Sequence, residues 1–491
     1  MPPSINLLRN RAMRRNPHHV VQASINPDTI DFKSELHRFD SSFDNKRSKT
    51  WELAADFIVK NNLKQLVETG CYHGSMPDGG STILLAILAR DTGGHLDSYE
   101  LNPRNINIAL THLKNKGLAK YVTFHLGDSV CGLAKRSDPI EFAYLDSFDC
   151  GLGPDFSPCQ NHQLYELEAA LPLFKHKAAL MMDDNIGQNG KTFRSLQRLK
   201  RTPFSIISDG YQVLLVTENS QTCVPHKICV LTGHLSNYGD LAAETIYRNR
   251  TEYCIRHGYD LKVAREVREK FKNDSSHAWG FSWSRLEMMY DLVSGGAYEW
   301  VWCVGCDTLV TNFTIRLEDI IADAETKEAE NNPLPECPPF PDSPAPPSVI
   351  KWVTPQDHVT TGKKHLLICG ERVVPMQADS FLVRGSPEGA NYLKDILSHY
   401  NLYKTHVWVE NQAMIDLRYK HAAITYMVPQ WKLNSVDCSR WHGLRPQYKD
   451  NCDCFGNRAM WQHGDFLVHW PAATVQQRME WVGEYSKKIK Y

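Results

Sequence analysis

The sequence predicts two α/β domains in tandem, each built on a mostly parallel sheet, and three observations carry that expectation. Between residues 50 and 218, short apolar runs ending in an acid or a glycine alternate with stretches of helical spacing. Such alternation implies right-handed crossovers and a parallel, doubly wound sheet. A polar break, Glu218–Pro225, then interrupts the pattern, and a new strand starts at Lys227. Finally, Tyr298–Asn312 (Y-E-W-V-W-C-V-G-C-D-T-L-V-T-N) is an apolar and aromatic run closed by one carboxylate, Asp307. A run so short and apolar reads as a strand buried on both faces. Its acid then either caps the next turn or lies at the carboxyl edge of the sheet, where open α/β folds bind ligands.

Composition bounds the rest. At 491 residues the chain is too long for one ordinary core. Hydrophobic residues make up 42% and charged residues 23%, a globular rather than disordered balance. A formal net charge of -1 gives no bulk attraction to nucleic acid or an anionic membrane, and the basic cluster Arg9–Arg15 reads as a solvated tail. No apolar run reaches the ~18 residues of a membrane span. The first thirty residues lack the apolar core of a signal peptide, so a soluble, cytoplasmic protein is expected. The cysteines are scattered, many inside apolar runs (Cys229, Cys303, Cys306, Cys369), a pattern of reduced buried thiols rather than a disulfide framework. Cys438, Cys452 and Cys454 cluster without the paired C-x-x-C of most zinc sites.

In chain order, residues 1–45 are a polar, irregular arm. Trp51–Asn62 has helical spacing through Trp51, Leu53, Ala54, Phe57 and Ile58. Strands are expected at Leu66–Thr69, His95–Glu100, Tyr121–Leu126, Glu141–Asp146, Ala178–Met182 and Tyr211–Thr217. Helices fit between them at Ser81–Ala89, Asn105–Lys116 and Gln163–Leu173. Glu68-x-Gly70-x-x-x-Gly74 follows the first strand, where glycines let backbone approach a ligand facing a helix N-terminus. Glu100 ends the second strand, the position that hydrogen-bonds a ribose diol in this architecture. Asp128 follows the third in L-G-D-S. A lone glycine turn is weak; turn, Glu and Asp at three successive strand ends are stronger together.

Over residues 50–218 this resembles a class I S-adenosylmethionine-dependent methyltransferase. The resemblance implies Glu68, Gly70 and Gly74 around the methionine moiety, Glu100 on the ribose, and Asp128 with Ser129 near the adenine. NAD is the rival ligand, but E-x-G-x-x-x-G differs from the dinucleotide fingerprint. Asp146 in F-A-Y-L-D-S and Asp183-Asp184-Asn185 in A-L-M-M-D-D-N look like the metal-dependent O-methyltransferases of the catechol and macrolide-sugar kind. That likeness implies Asp146, Asp184 and Asn185 as magnesium ligands, with Asp183 in reserve; hard oxygen ligands suit an ion that acidifies a substrate hydroxyl. His162 matches a histidine of several sugar O-methyltransferases, and is either a general base or a helix cap. The lysine that catechol enzymes carry three residues after the metal Asp is Asp149 here, which argues against a catechol. Cys150–Asn161 and residues 74–82 look like loops inserted over the site.

The second half opens with a strand at Lys227–Thr232 and a turn at Gly233. Asp240–His257 is a helix ended by Gly258, Tyr259–Val263 a strand, and Ser282–Val293 a helix leading into Tyr298–Asn312. Together with Q-A-D-S-F-L-V-R at 377–384, E-N-Q-A at 410–413 and G-D-F-L-V-H at 464–469, this order resembles the α-galactosyl-, α-mannosyl- and xyloglucan α-xylosyltransferases of fungi and plants, with a nucleotide-sugar GT-A fold. The match spans 226–482 and passes a Pro-rich stretch, Asn331–Pro347. The resemblance implies Asp307 and His469 as metal ligands, and Asp379, Glu410, Asn411 and Gln412 around the acceptor and donor sugar. It implies Thr232 and Gly233 near the nucleotide and Arg285 on the donor phosphates. Gly305 stands where the family carries the first acid of an acid-x-acid motif, which leaves a weak metal site, a metal-independent enzyme and a decayed one all open; Asp379, in place of the family's glycine, is a candidate compensating acid.

The resulting expectation is a bifunctional glycan-synthesis enzyme with a methyltransferase domain at 46–220 and a glycosyltransferase domain at 226–491. It would O-methylate a sugar hydroxyl from S-adenosylmethionine and transfer a sugar with retention, using Mg or Mn and a UDP- rather than GDP-sugar. Its partner is a saccharide acceptor; a viral or bacterial glycan pathway fits the missing anchor. The alternative is an active methyltransferase whose degenerate second domain only binds glycan. A scaffold of two inert nucleotide-binding folds would require both sets of strand-end acids to be accidental.

Overall fold

The computed structural model describes residues 30–40, 46–74, 80–150, 155–200, 202–217, 227–272, 277–326, 334, 362–371, 374–406, 408–437, 453, 456–471 and 473–491. Outside them lie the Arg9–Arg15 cluster, the Pro-rich stretch at 331–347 apart from Leu334, the cysteines Cys438, Cys452 and Cys454, and residues 75–79 and 151–154 of the two expected loops. Part of the expected irregular arm is ordered as a helix, Phe32–Asp40. It buries Leu36 and Phe39 against the first domain, apolar residues too few for their spacing to stand out in a polar arm.

Two α/β domains follow. The first sheet contains β1 (Gln65–Thr69), β2 (His95–Glu100), β3 (Val122–Leu126), β4 (Ile140–Leu145), β5 (Phe174–Met182), β6 (Ser205–Asp209) and β7 (Val213–Val216), in the order β3-β2-β1-β4-β5-β7-β6. β1 to β5 pair in parallel. β7 departs from the expected parallel sheet, running antiparallel to both β5 and β6. Its link to β6 is a short turn at Gly210, and a crossover needs a dozen residues or more. β6 is absent from the sequence expectation because Ile206 and Ile207, 50% and 44% exposed, show no inward-outward alternation. Local chemistry sets the helices between strands. Gly93 ends Ser81–Thr92 in the left-handed conformation (φ 62°), and Asn102 caps Pro103–Asn115, with proline in its first turn.

The second domain holds β8 (Ile228–Gly233), β9 (Asp260–Ala264), β10 (Trp300–Val304), β11 (Thr308–Val310), β12 (Leu366–Ile368), β13 (Ser380–Arg384), β14 (Thr425–Met427), β15 (Ser435–Val436) and β16 (Leu467–His469). Six form a sheet in the order β14-β12-β13-β10-β8-β9, and β11-β16-β15 form a second, smaller one. The stretch Tyr298–Asn312 is therefore two strands rather than one. β10 is buried in the large sheet, the chain turns at Gly305–Asp307, and β11 pairs with β16. This break puts Asp307 at the carboxyl end of β10. The antiparallel register Val304↔Ser380 brings the start of β13 to the same place.

A continuous apolar cluster joins the two sheets, from Val67, Leu145 and Leu215 to Tyr247, Trp302 and Phe466. Arg248 pairs with both oxygens of Asp128 at 3.0 Å, and Arg265 donates to the carbonyls of Ala134 (2.7 Å) and Arg136 (2.6 Å). Cys150 and Cys159 form a disulfide, correcting the expectation of reduced thiols for this pair; scattered spacing gives no sign that a loop returns on itself. The other described cysteines are free. Among the described residues no helix is long and apolar enough to cross a membrane.

Candidate functional site

At the carboxyl edge of the first sheet is a cavity of about 330 Å3, lined by Gly70, Glu100, Tyr144, Asp146, Asp184 and Lys191 among others. Gly70 has φ +78°, and a Cβ there would stand 2.5 Å from the Asp146 carbonyl, so only glycine lets β1 and β4 end so close together. Glu100 accepts from the amides of Cys71 (3.2 Å) and Asn102 (2.6 Å), which fixes its carboxylate at the wall. Glu68 does not line this cavity. Fully buried, it accepts from the hydroxyls of Ser81 (2.5 Å), Thr82 (2.8 Å) and Ser98 (2.8 Å), and burial pushes its carboxyl up to about 7. Gly74, at φ +92°, packs on Ile108 away from the lining.

Three further expectations are redirected. Asp128 caps the helix Ser129–Lys135 through the Cys131 amide (3.0 Å) and spends both oxygens on Arg248. Burial alone would raise it, but these partners hold it below the usual carboxylate range. Ser129 and His162 lie in a network beside the cavity. The hydroxyl donates to Glu166 (2.5 Å) and stands 3.1 Å from His162 Nε2, itself 3.5 Å from Glu166. Both contacts use one ring nitrogen, so this is no nucleophile-base-acid relay. Burial would lower the imidazole, and Glu166 outweighs it, raising His162 and favouring the charged ring over a free base.

The acids expected to hold magnesium do converge, but on Lys191. Its Nζ, almost wholly buried, lies 2.7 Å from Asp146 Oδ1 and 3.2 Å from Asp184 Oδ2. The other oxygens also have donors: Tyr144 on Asp146 (3.1 Å), the Tyr211 hydroxyl on Asp184, and Arg47 on Asp183 (3.0 Å). Asn185 is turned to Asp209 (2.7 Å), Gly210 (2.9 Å) and Thr192 (2.7 Å). Asp146, Asp184 and Asn185 thus do not fit a divalent ion in this arrangement. The physical reason is Lys191, which follows Asp184 closely in sequence but reaches Asp146, on another strand end, only through the fold.

At the carboxyl edge of the second sheet, Asp307, Asp379 and His469 offer three ligand atoms within 4.8 Å of one another. His469 Nε2 is 3.6 Å from Asp307 and 3.7 Å from Asp379. The ring is wholly buried, and among the described residues neither nitrogen has a hydrogen-bond partner. Ligands around an ion at about 2.0–2.2 Å are separated by roughly 3.0–3.6 Å, so an orphaned imidazole between two carboxylates fits a divalent cation. Gly305 makes room for this set. A Cβ there would meet Asp307 Oδ1 at 2.6 Å and Asp379 Oδ1 at 3.5 Å. Asp379, the residue just before β13, brings the second carboxylate to this place.

The surrounding groups hold these side chains in place. Arg478 Nη2 holds Asp307 at 2.9 Å. Burial alone would raise Asp307, but His469 and Arg478 keep it well below the carboxylate range. Fully buried Arg250 donates to the carbonyls of Gly305 (2.5 Å) and Thr308 (3.1 Å), fixing the turn that presents Asp307. Asn411 accepts from the Ala378 amide at 2.8 Å, anchoring the approach to Asp379. Arg285 stands 3.8 Å from Glu410, whose carboxyl burial pushes up to about 7 and whose Oε2 meets no donor among the described residues. Val409, just before it, is held at φ 39°, costly for a β-branched residue. Gln412 is drawn to Asp416 (2.8 Å), and Thr232 and Gly233 are buried against β9 rather than open to a ligand. Lys191, Arg47, Arg250 and Arg478 were all missed in the sequence: each lies in an ordinary helical or loop context, and only the fold makes it a partner of an acid.

The model of the galactosyl transferase GMA12/MNN10 family matches residues 213–480, more than half of the chain. No curated protein matches the sequence. Among similar solved structures, a glycosyltransferase involved in the glycosylation of the major capsid of PBCV-1 is 14% identical, with 53% of this chain and 100% of that chain covered and a TM-score of 0.34. The O-methyltransferase from Bacillus cereus in complex with SAH is 15% identical, covering 38% of this chain and 90% of that chain, with a TM-score of 0.29. The O-methyltransferase TomG from Streptomyces achromogenes in complex with SAM is 17% identical, with the same two coverages and the same TM-score.

Proposed function

The chain belongs to the galactosyl transferase GMA12/MNN10 family, and from that membership together with the acid-lined cavity at the edge of the first sheet we propose a bifunctional enzyme of glycan synthesis. Residues 226–491 transfer a sugar with retention from a nucleotide-sugar donor, UDP-linked in preference to GDP-linked, to a saccharide acceptor. The observation that carries this reading is the set Asp307, Asp379 and His469, in which Asp307 fills the space that Gly305 leaves and Asp379 adds a second carboxylate beside it. These three residues would hold Mn or Mg, which when bound supplies positive charge to offset a leaving diphosphate. Arg478 and Arg250 keep Asp307 in place, and Arg285 and Glu410 face the same edge as the donor and acceptor groups. A degenerate second domain is less well supported, because the acid that the motif lacks is replaced rather than lost.

Residues 46–220 take S-adenosylmethionine in the cavity bounded by Gly70 and Glu100 and methylate a sugar hydroxyl. Around this end of the cavity four carboxylates (Asp146, Asp149, Asp183, Asp184) face two cations (Arg47, Lys191). The remaining negative charge suits a cationic methyl donor.

Calorimetry of the full chain with S-adenosylmethionine and with UDP- and GDP-sugars, each with and without Mn2+, tests both halves. Metal-dependent binding of a nucleotide sugar, together with binding of the methyl donor, is expected. Methyl-donor binding alone would reduce the second domain to a glycan-binding module, and binding of neither would overturn the proposal.

A further inference from the structure

We infer that the first domain carries a built-in cation, the Lys191 ammonium, in the place its resemblance to metal-dependent O-methyltransferases assigns to a divalent ion. This rests on the methyltransferase reading of that domain only for its catalytic consequence. The geometry is independent of it. Lys191 Nζ bridges Asp146 (2.7 Å) and Asp184 (3.2 Å), and Asp149, at 4.0 Å, is the third carboxylate near it. The remaining oxygens of Asp146 and Asp184 accept tyrosine hydroxyls, and the Asn185 amide is fully engaged elsewhere. A divalent ion would have to break these bonds and sit against a buried positive charge left with only the exposed Asp149 at 4.0 Å, a cost that exceeds the gain from ligands already paired.

An ammonium carries three N–H groups, and two are directed to Asp146 and Asp184. Lys191 also lines the cavity, so its third proton is available to an oxygen of the acceptor. In the transfer, a lone pair of the acceptor hydroxyl forms the O–C bond to the donor methyl. The C–S pair leaves with sulfur, turning a sulfonium into a neutral thioether, and the hydroxyl proton passes to Asp149, a solvent-exposed carboxylate on the cavity wall. Lys191 orients the acceptor oxygen and offsets its developing negative charge, the task otherwise given to a metal. The methylation is therefore independent of divalent ions.

The test counts Mn2+ bound to the full chain by calorimetry and electron paramagnetic resonance. Wild type is expected to bind no ion at Asp146 and Asp184, so Asp184→Asn, which keeps a residue tolerant of the left-handed backbone at 184 (φ 57°), leaves the stoichiometry unchanged. Lys191→Ala, which frees the carboxylates, gains one ion per chain. A wild-type ion that Asp184→Asn removes would overturn the inference, and this result does not depend on whether methyl transfer occurs. Where methylated product forms, a chelator leaves its rate within about twofold, whereas a loss of about tenfold restored by Mg2+ would refute the inference while preserving the methyltransferase reading. Absence of methyl-donor binding would sink the methyltransferase reading alone, and the ion count would still decide whether Lys191 fills the place of the metal.

Discussion

Gly305→Ala tests the reading of the second site most directly. Residue 305 is not among the glycines with positive φ, so alanine meets no backbone penalty and acts only through space. Its Cβ would lie 2.6 Å from Asp307 Oδ1, where ordinary contact begins at 3.4 Å, so the carboxylate must retreat by 3.4 − 2.6 = 0.8 Å. Metal sites keep their ligand distances within about 0.2 Å. A displacement four times larger should cost a ligand, and affinity for Mn2+ should fall by about tenfold or more, about 1.4 kcal/mol. Arg478 grips Asp307 from the other side at 2.9 Å, which limits how far the group can relax back. Titration calorimetry of Mn2+ into wild type and variant, with thermal unfolding of the ion-free proteins as a folding control, measures the effect. An unchanged Kd in a folded variant would mean that Asp307 is not a ligand.

Three other outcomes follow from the geometry. Gly305→Asp combined with Asp379→Gly moves the acid back to the motif and should bind Mn2+, while Asp379→Gly alone should lose about tenfold or more in calorimetry; equal binding by the single variant would remove Asp379 from the site. Glu68 is raised from 4.5 to about 7 in the folded chain, so its contribution to stability is fully present below pH 4.5 and is lost as pH rises through 7. Glu68→Gln should flatten that slope, with a gain at pH 8 on the order of 3 kcal/mol at most, and urea unfolding at pH 5 and pH 8 that showed no change in slope would contradict the assignment. Arg250→Met removes the donor to Gly305 and Thr308, takes a hydrogen bond from the buried Thr308 carbonyl at roughly 1–3 kcal/mol while Gly305 keeps only the Thr308 hydroxyl, and should weaken Mn2+ binding as well as lower the melting temperature. A loss of stability without a change in affinity would make Arg250 purely structural.

The strand-helix alternation and the acids and glycines at strand ends were legible because they are local. A buried parallel strand must be apolar, a ligand edge must place small or charged residues after it, and both marks are written in consecutive residues such as Val67–Gly70 and Trp300–Asp307. The turn at Gly305 was legible as a missing acid, though not as the break that sends β11 into another sheet. β6 left no mark because an edge strand with half-exposed isoleucines needs no alternation, and the Cys150–Cys159 pair left none because closing a loop depends on where its ends are held. Above all, sequence set which carboxylates would converge, and tertiary structure decided what they converge on. Asp146 and Asp184 meet Lys191 and become a closed ion cluster, whereas Asp307, held by Arg478, and Asp379 flank a His469 whose ring nitrogens have no hydrogen-bond partner among the described residues. A charge is balanced by whatever the fold brings within about 4 Å, and neighbours in space are chosen by packing across the whole chain rather than by spacing along it.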